Sequence, residues 1–197
     1  MAKKDFRKEI KWLWERKLYL ILGLIFLFFL MLFGGRVKAI LVIGGMVILA
    51  SFSTVYKRYL RMPPAFELMT FGTVIVSLAY GPVIGAIFGF VTSITSEIVN
   101  GSIDIFVVSY APARAVVGLV APYFMGMDIF ALGMLMTALY NIIGQPMYFF
   151  MGDVEAKGKL AFFLVGNFLA NAILFNSFGR LILPFLSRIV YSRLSGR

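Results

Sequence analysis

An all-α helix bundle embedded in the bilayer is the fold class this sequence predicts, on three observations. Of 197 residues, 61% are hydrophobic and only 14% charged, too few charges to clothe a water-soluble domain. Uncharged runs of the roughly 20 apolar residues that a spanning helix needs fill most of the chain between Leu18 and Phe185, leaving no soluble domain of useful size. Lys and Arg gather at the ends of those runs and at the termini, where they anchor to anionic headgroups. The formal net charge of +10 therefore reads as topology, and no nucleic-acid partner is expected.

Punctuation by charge, Gly and Pro places the spans at about 16–34, 38–57, 64–80, 82–100, 105–124, 129–151 and 160–186. The first follows a basic front that carries Trp12 and Trp14, which suit the interfacial belt. Its apolar run ends in GGRVK with no A-x-A-like cleavage site, so it reads as a retained helix and not as a secretory signal. The organisation expected is a six-helix membrane core over 36–187, an extra N-terminal hydrophobic helix within 1–35, and a basic tail at 188–197. Pro64 and Pro82 fall where helices begin, since Pro is tolerated in a first turn. Pro112, Pro122 and Pro146 lie inside or near the ends of apolar runs and should kink helices or free carbonyls. Connections as short as GSID and GMD make neighbouring helices antiparallel. The side that holds the N-terminus collects most Lys and Arg, including Lys57, Arg58, Arg61, Lys157 and Lys159. That favours a cytoplasmic N-terminus in a multi-pass cell-membrane protein.

With no Cys and no His, the chain cannot build a disulfide, a thiolate or imidazole metal site, or a nucleophile–histidine pair. Nor does it carry phosphate-binding glycines or a Walker lysine. Neither cofactor nor metal is expected, and an intramembrane enzyme would have only Ser, Tyr, Glu97 and Arg114 to work with.

The polar residues inside the apolar runs are the candidates for function. In AYGPVIGAIFGFVTSITSEIVNG, residues 79–101, Gly81, Gly85 and Gly89 recur four apart, so one helix side is bare backbone that a neighbour can approach closely. Polarity then rises to Glu97, which either reaches the headgroups from a helix end or helps enclose a ligand. Arg114 stands about ten residues into its run, near mid-membrane, where an arginine costs roughly 2.5–3.5 kcal/mol on insertion scales. Its compensation is Glu97 across the short hairpin, a polar cavity, or an anionic ligand. Asn141, Gln145 and Tyr148 share one helix face, and Asn167 and Asn171 share another. Amides in the bilayer must hydrogen-bond to something, either neighbouring helices or a polar small molecule. Glu67, in the first turn after Pro63 and Pro64, reads as a helix N-terminal cap, and Arg180 as a side chain that snorkels from a helix end.

The stretch RMPPAFELMTFGTVIVSLAYGPVIGAIFGFVTSITSEIVNGSIDIFVVSYAPARAVVGLVAP resembles the substrate-binding S-components of energy-coupling factor (ECF) vitamin transporters. The likeness rests on a proline-containing loop after one helix, a helix ending in GP, the continuation GPVIGAIFGF, and a proline-bearing helix with GLVAP. It covers about residues 39–186. What it implies is a six-helix subunit that binds a vitamin-like or other polar micronutrient near its non-cytoplasmic face, capped by the loop at 57–64. Glu97, Arg114, Asn141, Gln145 and Asn171 are then the expected substrate-binding residues. Energy would come from a separate membrane coupling protein with paired ATPases, met by small-residue patches such as Gly44, Gly45 and Ala50. The family's topology would put the 57–64 loop outside, which a re-entrant first segment would reconcile with a basic terminus inside. The alternative is a non-transporting membrane scaffold similar to the rod-shape-determining MreD family, in which the amides and Arg114 seal helix contacts.

Overall fold

The computed structural model describes residues 28, 37–56, 59, 66–101, 103, 105–152 and 154–182. The expected helix at 16–34, Trp12 and Trp14, most of the loop at 57–64 and the tail at 188–197 lie outside the described residues. The chain divides into two compact units, 1–42 and 43–197. The first contributes Phe28 and the opening of one helix to the described residues. The second holds everything that follows.

Among the described residues the structure is all-helical. Helix α1 covers Val37–Phe52, α2 Met69–Tyr80, α3 Pro82–Asn100 and α4 Val107–Val120, extended by a 3₁₀ turn at Ala121–Phe124. After it come α5 at Ile129–Gly144, the short α6 at Pro146–Met151 and α7 at Val154–Leu174, which passes into a π-helical turn at Phe175–Gly179. Among the described residues, four stretches are long and apolar enough to cross a membrane: Pro82–Asn100, Val107–Phe124, Ile129–Met151 and Leu160–Ile182. Surface and interior are inverted relative to a soluble protein. Along α3, Val83, Ile87 and Ile98 face outward at 58–63% exposure, while Thr92, Ser93, Ser96 and Glu97 are buried at 5% or less.

The helix expected at 64–80 is shorter than its apolar run. A start at Pro64 was expected, yet residues 66–68 are non-helical and α2 opens only at Met69. Local bonds account for the delay. The Tyr56 hydroxyl accepts from the Phe66 N–H at 2.9 Å and donates to the Phe66 carbonyl at 3.0 Å, and the Leu68 N–H donates to Ser53 Oγ at 3.1 Å. Segment 66–68 is thus tied to the chain just beyond α1.

All of α2 except Leu78 and Tyr80 is buried, the signature of a helix enclosed on every side. It packs against α3, α4, α5 and α7 and forms the axis of the bundle. At 1.5 Å per residue its 12 residues span about 18 Å, against a hydrocarbon core of about 30 Å. At its C-terminal end Gly81 takes φ +100°, ψ 165°, a backbone that a side chain would strain, and Pro82 starts α3 at once.

Close approach fixes the register of the antiparallel pair α2–α3. A methyl group on Gly85 would overlap Ser77, and one on Gly89 would lie 3.0 Å from Thr73 Cγ2. One further turn puts Met69 level with Ser93. α4 approaches the same glycines of α3 just as closely: a Cβ on Gly118 would overlap the backbone of Gly85 and Ala86, and one on Gly89 would sit 2.8 Å from the Arg114 carbonyl oxygen. Ser77 Oγ donates to the Gly118 carbonyl, so three helices meet at this level.

The remaining prolines act at breaks. Pro112 lies within α4, Pro122 opens the 3₁₀ turn, and Pro146 ends the α5 run at Gln145 and begins α6. In the π turn that follows α7, Phe175 and Gly179 both face inward. Phe175 is fully buried against Phe71, their centroids 5.0 Å apart, and covers Gly133, where a methyl group would strike its ring.

A hydroxyl–amide seam joins the end of α1 to α3. Ser51 and Thr95 share a 2.6 Å bond, and Asn100 Nδ2 donates to Thr54 Oγ1 at 3.0 Å. Interhelical bonds of this kind average about 0.6 kcal/mol in membranes, with a maximum near 1.7. Thr54→Val should therefore lower stability in detergent by about 1 kcal/mol, read from the unfolding midpoint. A loss above about 3 kcal/mol would mean that the seam carries more than packing.

Candidate functional site

The polar residues converge where α2 begins. Arg114, from the middle of α4, is 1% exposed. Its Nη2 contacts both carboxylate oxygens of Glu67 and donates to the Tyr140 hydroxyl at 3.0 Å, and its Nη1 donates to Ser93 Oγ at 2.9 Å. The guanidinium carbon stands 4.5 Å from the centroid of the Tyr140 ring and 5.7 Å from that of Tyr110. Only Nε lacks a partner among the described residues.

The arginine's counter-charge is thus Glu67, not Glu97. Glu67 was read as a helix cap; it is 1% exposed and forms the buried ion pair with Arg114. Because residues 66–68 stay non-helical, the carboxylate turns inward at the start of α2 instead of lying on a helix surface. Its Oε1 also accepts from Thr70 Oγ1 at 3.0 Å and from Asn167 Nδ2 at 3.4 Å. Helices α2, α3, α4, α5 and α7 each supply a group to this one cluster.

From Asn167 the bonds continue along α5. Asn141 Nδ2 donates to Asn167 Oδ1 at 3.1 Å and to its own helix at the Thr137 carbonyl at 2.8 Å, while Gln145 Nε2 reaches Asn141 Oδ1 at 3.4 Å. Exposure rises along this line from 0% at Asn167 to 6% at Asn141 and 9% at Gln145. Asn171, one turn beyond Asn167 on α7, donates to the Asn167 carbonyl at 3.0 Å, and its Oδ1 has no partner among the described residues.

Glu97 occupies a different level. It lies one turn past Ser93 on α3, 5% exposed, beside the Tyr110 phenol of α4. Gly144 packs on Tyr110 and its carbonyl accepts from Ser109 Oγ at 2.9 Å, which brings the next residue, Gln145, to the same level. Since α2 starts level with Ser93, the turns of α3, α4 and α5 that carry Ser96, Glu97, Asn100, Tyr110 and Gln145 extend beyond its N-terminus.

Of the expected substrate residues, then, Arg114, Asn141 and Gln145 belong to one bonded chain, Glu97 stands at its open end, and Asn171 lies on the far side of Asn167. Glu67, Ser93, Tyr140 and Asn167 complete the cluster without having been singled out for it. The usable signal for Glu67 was that a buried arginine demands an acid, and that residue 67 directly precedes an apolar run. The hydroxyls of Thr92, Ser93 and Ser96 bond back to carbonyls of their own helix, leaving Ser93 Oγ free to accept from Arg114. Of the small residues, Gly85 and Gly89 are packed, Ala50 is 2% exposed, Gly81 makes the turn, and a methyl group on Gly44 or Gly45 would meet nothing within 4 Å among the described residues. Arg180 is at the protein surface, its guanidinium 3.6 Å from Asp128.

No protein-family model, no curated protein and no solved structure matches this chain.

Proposed function

We propose that the chain is the small-molecule-binding subunit of a membrane uptake system similar to the S-components of ECF transporters, with a polar micronutrient as ligand. The observation that carries this reading is the late start of α2, at Met69. An axial helix that stops short leaves the turns of α3, α4 and α5 that carry Ser96, Glu97, Tyr110 and Gln145 beyond its N-terminus, polar and buried where a filled core would be apolar. Half-length helices whose N-termini end at a polar site are a recurrent way of holding a solute inside a membrane. The Glu67–Arg114 cluster forms the floor, and the Asn141–Gln145 amides the wall that leads outward. A membrane coupling protein with paired ATPases would supply the energy, since the chain has no nucleotide-binding motif.

One observation favours a second reading, a non-transporting scaffold similar to MreD: the arginine is already neutralised by Glu67, so the cluster serves equally to lock five helices in register. Native mass spectrometry of the protein extracted in mild detergent separates the two. A stoichiometric polar metabolite, lost in Gln145→Leu while the fold is retained, is the expected result. An empty wild-type protein that keeps a second membrane protein bound would replace the transporter reading with the scaffold.

A further inference from the structure

We infer that Glu67 is an internal ligand: it fills, from within the chain, a complete carboxylate-binding cradle on Arg114, so that the small molecule bound above it carries no net negative charge. This deepens the uptake reading by assigning the substrate class. The cradle itself rests on geometry alone.

The donors that surround Glu67 are those of an anion site. They are Arg114 Nη2, Thr70 Oγ1 and Asn167 Nδ2, arriving from α4, α2 and α7, with the N-terminus of α2 immediately behind. Tyr140 and Ser93 hold the guanidinium in place from α5 and α3. Charge-assisted bonds of this kind are the ones protein sites use to hold carboxylates. Here the carboxylate belongs to residue 67, on a segment held by Tyr56 and Ser53 from beyond α1 as well as by the helix it precedes. An incoming anion would find the guanidinium occupied. It would also meet two carboxylates, since Glu67, Glu97 and Arg114 are the buried charged residues among the described ones. An uncharged ligand, by contrast, finds the amide of Gln145 at the outer end of the chain of bonds, a group that is both donor and acceptor.

The test is to empty the cradle and refill it from solution. Glu67→Ala, purified in detergent, should gain thermal stability saturably with acetate or formate, by several degrees, and gain nothing from acetamide, which matches acetate in shape without its charge. Wild type and Glu67→Ala/Arg114→Met should respond to neither. If Glu67→Ala folds only when extracted in acetate, that is the same result in a stronger form. Equal effects of acetate and acetamide, or no recovery in either, would overturn the cradle. For the substrate class, any metabolite that co-purifies with the wild type should be neutral or cationic. An anionic one would overturn that assignment and leave the uptake reading standing, whereas an empty wild-type protein would sink the uptake reading and leave the acetate result untouched.

Discussion

Arg114→Met should destabilise the bundle by about 3–5 kcal/mol, because removing one partner of a buried ion pair leaves the other charge uncompensated. Glu67 would keep Thr70 and Asn167 as hydrogen-bond partners and lose its cation in a place where water cannot replace it. The double variant Glu67→Gln/Arg114→Met should recover most of that loss, since apolar or neutral replacement of a whole buried pair is often close to neutral. Equilibrium unfolding in mixed micelles of rising SDS fraction, run on both single variants and the double, measures the coupling directly. Additive losses would mean that the two residues act separately and that the geometry at the start of α2 does not carry the fold. Arg114→Lys is a useful companion. A single ammonium can meet Glu67 but cannot at once reach Ser93 Oγ and lie against the Tyr140 ring, so it should recover part of the stability only.

This expectation differs from the one the sequence alone supports, in which Arg114 lines a ligand site. The difference lies in which acid faces it. Ordering along the chain favours Glu97, across the short hairpin of residues 101–106, and treats Glu67 as a cap because it follows two prolines. Chain order cannot reveal that residues 66–68 are held off the helix by Tyr56 and Ser53, nor that α2 becomes the buried axis, which brings residue 67 to the middle of α4. The membrane character, the helix boundaries around Gly81–Pro82 and the inward face of Asn141 and Gln145 were legible, because composition, helix breakers and four-residue spacing encode them directly. The convergence of Asn167 with Glu67, 100 positions apart, is a property of packing. So is the π turn at Phe175–Gly179, for which the local sequence carries no signal beyond a glycine at its end.

The small residues separate into those that hold helices together and those that do not, and two glycine substitutions should expose the difference in kind. At Gly118 the atoms that a methyl group would strike are backbone atoms of Gly85 and Ala86. Nothing there can rotate away, so α3 and α4 must separate along the whole contact. The Ser77 bond to the Gly118 carbonyl and the Gly89–Arg114 approach would loosen with them. Overpacking in a close-packed interior typically costs about 1–3 kcal/mol and occasionally more; Gly118→Ala should lie at or above the top of that range. At Gly133 the obstacle is the ring of Phe175, a side chain that substitution can shorten. Gly133→Ala should be destabilising by a similar amount, and Phe175→Leu should recover much of it although Phe175→Leu alone creates a small cavity against Phe71. The opposite-sign coupling in that pair, and its absence when Gly118→Ala is combined with Phe175→Leu, would be read from the same SDS titrations. Gly45→Ala, with nothing within 4 Å of the added methyl, is the reference that should leave the midpoint unchanged or raise it slightly, since Ala is the better helix former. If Gly118→Ala proved as harmless as Gly45→Ala, the backbone contact between α3 and α4 would not be a feature of the folded protein. The register that places Arg114 opposite Ser93 and Glu67 would then lose its physical basis.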